Sequence, residues 1–373
     1  MKRYAHITSC GMAVPERVFT NQDLEKMVDT TDEWIISRTG IHERHIASPQ
    51  ETTASLATAA ALNALDPTPL DPDDVQLIIV ASATPEHIFP ATACIVQDNI
   101  GAVNAGAFDL SAACTGFIFA VNMAAQAIRS GSIDNAIVIG SETLSKIVNW
   151  EDRNTCVLFG DGAGAFVLQA SEIPGGVLSC VMRSDGSGGD LLSVPAGGSQ
   201  MPTTMETVAH NLHTIQMNGR EVFRFATREM AAATREAVAI AQLQLDDINL
   251  IVPHQANRRI IETAARSLRV PMDRIIMNID RYGNTSTASI PIAVCEAMDE
   301  GRIQSEDNLV LVGFGAGLTW GAMVIRCVET EVYVAPTRRA RRRFLFVLAR
   351  LRSFVRRVLR KLEGLIWSTS SKK

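Results

Sequence analysis

Asp73-Asp-Val-Gln-Leu-Ile-Ile-Val80 is answered, 173 residues further on, by Asp246-Asp-Ile-Asn-Leu-Ile-Val252. In each, a pair of acids leads into an Ile- and Val-rich run of the kind that forms a strand buried on both faces, and each follows a long helical segment. Asn135-Ala-Ile-Val-Ile139 and Leu309-Val-Leu-Val312 read as further buried strands, and Thr53 to Leu65 and Gly116 to Ile128 as Ala-rich buried helices. Strands alternating with helices imply an α/β fold. The duplication predicts two similar halves, 1–172 and 173–330, packed about a pseudo-dyad. Cys114 lies 39 residues after Val75, and Asn284 lies 36 after Ile248, so the halves are expected to deliver key residues to a shared central site.

With 373 residues and 47% hydrophobic content the chain is long enough to bury a large core. The N-terminus lacks the uninterrupted apolar stretch of a secretory signal, and no apolar run approaches the roughly 18 residues of a transmembrane helix. A cytoplasmic location is expected for the bulk of the chain. Seven cysteines, at 10, 94, 114, 156, 180, 295 and 327, include no Cys-x-x-Cys pair, so neither a zinc site nor a disulfide framework is expected. Gly160-Asp-Gly-Ala-Gly164 and Gly313-Phe-Gly-Ala-Gly317 are not nucleotide fingerprints, and no phosphate-binding loop is present, which disfavours a redox or ATP-using enzyme.

Three separated phrases carry chemistry: Asp109-Leu-Ser-Ala-Ala-Cys114-Thr-Gly, Val252-Pro-His254-Gln-Ala-Asn257 and Tyr282-Gly-Asn284-Thr-Ser286. Cys114 precedes an apolar helical run, so its sulfur is expected at a helix N-terminus, where the dipole lowers a thiol pKa. His254 follows a strand end, the usual position of active groups in α/β folds. Taken singly, each has an inert explanation: a core thiol, a structural histidine, a turn or cap residue. Together they have a specific use. When a thioester enolate forms, negative charge develops on its oxygen, and two neutral donors, His254 Nε2–H and the Asn284 amide, can stabilise it without quenching it. The carbanion then attacks an acyl group held on Cys114.

With Asp32-Glu-Trp34-Ile-Ile-Ser-Arg38-Thr-Gly-Ile41, Phe159-Gly-Asp-Gly-Ala-Gly164 and Gly313-Phe-Gly-Ala-Gly317-Leu-Thr-Trp320-Gly, these phrases resemble the β-ketoacyl-(acyl carrier protein) synthase III family of the thiolase superfamily, from about Arg3 to about Arg326. The resemblance implies a thiolase-like fold in α-β-α-β-α layers and a homodimer. It implies an oxyanion hole at the backbone N–H groups of Cys114 and Ala316. Coenzyme A contacts are implied at Thr30, Trp34, Arg38, Arg153 and Asn257, with Trp34 and Arg153 flanking the adenine. Phe89 matches a residue that reaches across the dimer to shape the partner's acyl pocket, and Arg258 and Arg259 are implied in carrier-protein docking. Arg220 stands where some members have a smaller polar residue, a departure that bears on the details of pantetheine contact.

The expected activity is decarboxylative condensation of an acyl-CoA with malonyl-acyl carrier protein, with no metal or redox cofactor and no nucleic-acid partner. The alternatives are a related ketosynthase with a different starter in secondary metabolism, and a membrane-tethered acyl- or CoA-binding protein.

Glu331 to Lys373 has no counterpart in the family. It holds 13 of the 35 basic residues but two of the 40 acidic ones, a net +11, leaving −16 on the first 330 residues. Phe344, Val347, Leu348, Leu351, Val355, Val358, Leu362 and Ile366 form a helical stripe opposed by Arg350, Arg357, Arg360 and Lys361. A basic amphipathic extension over 338–367 suits an anionic membrane surface. A helix packed on the acidic body, a solvated appendage or a protein-binding segment fits the same pattern.

Overall fold

The computed structural model describes residues 2–328 together with the helical residues 351–352, 355–356 and 358–360. The other residues of the basic extension lie outside the described residues. Two sheets organise the body. The first has five strands in the order Tyr4–Ala13, Asp161–Ser171, Asn135–Thr143, Leu77–Ala81 and Gly106–Leu110. The second runs Gly176–Ser184, Thr319–Arg326, Asn308–Gly315 and Leu250–Pro253.

The two orders match strand for strand. Leu77–Ala81 pairs in parallel with Asn135–Thr143 as Leu250–Pro253 does with Asn308–Gly315, and the remaining neighbours towards Tyr4–Ala13 and Gly176–Ser184 are antiparallel. Where the first sheet has Gly106–Leu110, the second has a single parallel bridge, Ile251 to Ile275. Each Asp-Asp pair forms a 3-10 turn before its strand, Pro72–Asp74 and Leu245–Asp247, so the repeated phrase keeps its shape.

Alternation along the strands explains the layers. Ile78 and Val80 pack with helices Thr53–Leu65 and Thr92–Ile100 on the outer face, while Ile79 and Ala81 face inward. In the second sheet Val310, Val312 and Phe314 meet helices Gly219–Ile240 and Arg258–Leu268, while Leu309 and Leu311 face inward. Both inner faces close on the same central pair, Gly116–Arg129 and Ser289–Asp299. The result is the expected α-β-α-β-α order. Each fully buried Ile, Val or Phe of this middle layer is worth about 1.5–3 kcal/mol relative to exposure, so the shared core dominates the union of the halves.

Close approach is built in at Gly140, where an added Cβ would lie 2.2 Å from Thr287 O of the other half. Only glycine fits there, and it brings the ends of the strands and central helices together.

Candidate active site

Cys114 sits in the 3-10 turn Ala113–Thr115 directly before helix Gly116–Arg129, as expected. Ala113 has a left-handed φ of 44°, which turns the chain sharply out of strand Gly106–Leu110. Asp109 of the same phrase is structural, its carboxylate accepting the Thr92 and Ala93 N–H groups at 2.7 and 2.8 Å. It caps the outer helix Thr92–Ile100 beside the turn that carries Cys114.

His254 follows strand Leu250–Pro253, held by its N–H to Val312 O at 2.7 Å. Asn284 belongs to the loop after helix Ile279–Tyr282. Glu296 fastens that loop to the central helix, accepting from both Arg281 guanidinium nitrogens, Tyr282 OH and Asn278 Nδ2. The backbone of Asn284 is tied to the first half through Leu158 O and Gly160 N. Its Oδ1 accepts the Ser286 N–H at 2.9 Å, which leaves the Nδ2 donors free of that contact.

Cys114, His254 and Asn284, from both halves, line one cavity of about 860 Å³. Its wall also contains Trp34, Arg38, Asn257, Arg220, Phe223 and Phe314. Thr30, Arg153, Ala316, Phe89, Arg258 and Arg259 are outside that lining. Arg153 lies over the Trp34 ring at 5.2 Å and donates to Asp29 O at 2.7 Å. Thr30 Oγ1 is buried without a hydrogen-bond partner. Asn257 caps helix Arg258–Leu268, accepting from Arg259 N at 2.9 Å, and donates to Arg38 O at 3.0 Å. Arg258 is paired with Glu262 at 2.8 Å, and Arg259 stands 5.6 Å over Phe223. Phe89 is 85% exposed beside Ile88 at 86%.

Ala316 turns between strands Asn308–Gly315 and Thr319–Arg326, next to Gly315, which packs against Cys114. A Cβ on Gly315 would lie 2.7 Å from Cys114 N, so glycine is required for this approach. Thr319 locks the two turns together, bonded to the Thr115 hydroxyl at 2.6 Å and to Ala316 O at 3.0 Å.

The electrostatics correct one expectation. Burial pushes the Cys114 thiol up to about 12, and the negative charge of Glu142 adds to that, while a hydrogen bond from Ser286 acts the other way. The helix N-terminus favours thiolate, but desolvation of a thiol that is 8% exposed outweighs it in the resting site. Burial also holds His254 down at about 3, so the imidazole is neutral. Phe314 packs edge-on against it at 5.5 Å and keeps it dry.

Residues the phrases did not single out complete the site. Glu142, fully buried at the end of an apolar strand, accepts from Ser82, Ala83, Thr84 and Thr287. An acid soon after the apolar run Ala136–Ile139 of that strand was its visible signal. Ser286 and Ser289 had none, because short hydroxyl residues before a helix are ordinarily caps.

Likeness to known proteins runs along most of the chain. Residues 108–186 match the model of 3-oxoacyl-[acyl-carrier-protein (ACP)] synthase III, and residues 238–327 match that of its C-terminal part. The chain is 52% identical over 326 residues to the beta-ketoacyl-[acyl-carrier-protein] synthase III of Roseiflexus sp. (strain RS-1), covering 87% of this chain and 99% of the relative. The crystal structure of 3-oxoacyl-[acyl-carrier-protein] synthase III from Aquifex aeolicus VF5 superposes with a TM-score of 0.80 at 46% identity, covering 86% of this chain and 99% of that one. The priming beta-ketosynthase of the R1128 polyketide pathway superposes with a TM-score of 0.82 at 33% identity, covering 88% and 97%. With its duplicated layers, its shared cavity and these likenesses along most of its length, the chain belongs to the 3-oxoacyl-[acyl-carrier-protein] synthase III family.

Proposed function

We propose that this enzyme, an acyltransferase of the condensing type, joins an acyl group from acyl-CoA to malonyl-acyl carrier protein. It releases CoA and carbon dioxide and yields a 3-oxoacyl-acyl carrier protein, the opening reaction of fatty acid synthesis. The observation that carries this reading is the convergence of Cys114, His254 and Asn284 on one cavity whose wall extends to Trp34 and Arg38.

In the first half-reaction Cys114 Sγ attacks the acyl thioester carbon, the bond to the CoA sulfur breaks, and the thiol proton ends on that sulfur. The backbone N–H groups of Cys114 and Ala316 receive the transient oxyanion. In the second, the malonyl carboxylate leaves as carbon dioxide and the electron pair of the broken C–C bond passes to the thioester oxygen. His254 Nε2–H and Asn284 Nδ2 donate to it. A neutral imidazole is the right donor, because an imidazolium would protonate the carbanion. That carbon attacks the acyl carbonyl on Cys114, and the departing thiolate takes up one proton. No metal or redox cofactor enters these steps.

Coenzyme A is bound along the Trp34 and Arg38 wall, with Arg153 moving off the indole to let adenine stack and with Thr30 and Asn257 at its flanks. The carrier protein, acidic in this reading, meets Arg258 and Arg259 at the rim. In a homodimer, exposed Phe89 enters the partner's acyl pocket. In the extension, helical Leu351, Val355, Val358 and Leu359 are 40–58% exposed, which supports contact of 338–367 with an anionic surface of a cytoplasmic enzyme. Among the described residues no helix is long and apolar enough to cross a membrane.

Greater sequence identity to synthase III, 46% against 33% for the polyketide priming enzyme, favours this substrate pair over a secondary-metabolic starter. Turnover of a panel of acyl-CoAs with malonyl-acyl carrier protein tests it. Carbon dioxide and 3-oxoacyl product are expected with at least one starter, and neither CoA release nor product with any of them would overturn it.

A further inference from the structure

A neutral imidazole has one proton, and an enolate donor must carry it on Nε2. Nδ1 must then accept a hydrogen bond. In this site Nδ1 lies 2.6 Å from Ser289 Oγ, the first residue of the central helix Ser289–Asp299 and only 2% exposed. That hydroxyl also lies 2.9 Å from Ser286 O and 3.4 Å from the Gln255 N–H. Ser286 O only accepts and Gln255 N–H only donates, so the single hydroxyl proton has two destinations.

If it goes to Ser286 O, Nδ1–H must donate to Oγ, and Nε2 presents a lone pair to the cavity. If it goes to Nδ1, Nε2 carries the proton and faces the cavity as a donor. Of the two contacts, that with Nδ1 is the shorter. We propose that Ser289 is the positioning residue that fixes the His254 tautomer, its hydroxyl donating to Nδ1 and so placing the imidazole proton on Nε2. The six residues from Asn284 to Ser289 then orient both enolate donors: the left-handed Ser286, φ 48°, sends its N–H to Asn284 Oδ1 while Ser289 serves His254. Partners of the remote histidine nitrogen decide which ring nitrogen holds the proton, and their loss at comparable sites costs about tenfold to a hundredfold.

The inference rests on the proposed role of His254, and the test separates the two. Full-length wild type, Ser289→Ala, Ser289→Thr and His254→Ala are compared by Cys114 acylation from acyl-CoA, by condensation kcat and KM, and by imidazole 15N shifts. Ser289→Ala is expected to acylate normally and to lose kcat about tenfold to a hundredfold at unchanged KM. Its His254 15N pattern should leave the Nε2–H form, and Ser289→Thr should recover most of both. A Ser289→Ala enzyme that keeps the wild-type 15N pattern overturns the inference whatever its kcat, provided His254→Ala has lost condensation. Normal condensation by His254→Ala overturns the underlying reading instead. Should Ser289→Ala fail to fold, an Nδ1–H pattern in the wild type would still refute it.

Discussion

The two central helices are entered by the same turn, put to opposite uses. Ala113–Thr115 opens on left-handed Ala113 and leads into Gly116–Arg129, while Ser286–Ala288 opens on left-handed Ser286 and leads into Ser289–Asp299. Cys114 and Thr287 are equivalent, each 39 residues beyond its partner in the repeat, Val75 or Ile248. The spacing of the repeat and the matching turns both pair Cys114 with Thr287, and Asn284 stands three residues earlier. Thr287 Oγ1 is 2.9 Å from both Ala81 O and Glu142, holding the halves together. Cys114 turns its sulfur to the cavity. Duplication thus supplies two scaffolds, and the proposed chemistry needs their difference: one nucleophile on one side, two neutral donors on the other.

The comparison breaks most severely at Cys114→Ala, which should abolish acyl transfer and condensation together. Peptide mass spectrometry after acyl-CoA treatment should find Cys114 alone modified among the seven cysteines, and acylation persisting in the variant would remove it as nucleophile. On the other side, His254→Ala and Asn284→Ala should still acylate Cys114 but lose condensation by about a hundredfold to a thousandfold. Equal loss of both half-reactions would mean the division of labour between the turns is wrong.

Thr287→Val should act on stability instead of chemistry. It leaves part of the buried Glu142 and Ala81 hydrogen bonding unmet, a cost of about 1–3 kcal/mol in urea unfolding, with acylation per folded molecule little changed.

The pH dependences are of opposite character in the two halves. His254 binds a proton near pH 3 when folded but near 6.5 when unfolded, so its contribution to stability is full above 6.5 and is lost as pH falls towards 3. The stability advantage of wild type over His254→Gln should shrink across that window. Alkylation of Cys114 by iodoacetamide should keep rising above pH 9, as expected for a thiol near 12. A plateau near neutrality would restore the dominance of the helix dipole.

The smallest effect on turnover is expected from truncation after Thr330, since every catalytic phrase ends by Trp320. Condensation should stay nearly intact while co-sedimentation with anionic vesicles disappears. Attraction of about 1 kcal/mol per basic residue near the lipid surface should also weaken in high salt. Equal sedimentation of both forms would reject the membrane reading, and lost solubility would favour packing on the body.

Sequence alone determined the repeat, the α/β layering and the excess of basic residues after Glu331, and it picked out Cys114, His254 and Asn284, which line one cavity. Those are local properties: strand patterning, an acid pair at a turn, a Cys before an apolar helix, a run of arginines. Only tertiary structure decided that Glu142 lies buried beneath the site, that Ser289 faces the His254 Nδ1, and that the resting thiol is raised. Each depends on which groups from distant segments share a dry space. Desolvation and hydrogen-bond partnership are set by that packing, and no spacing along the chain encodes them.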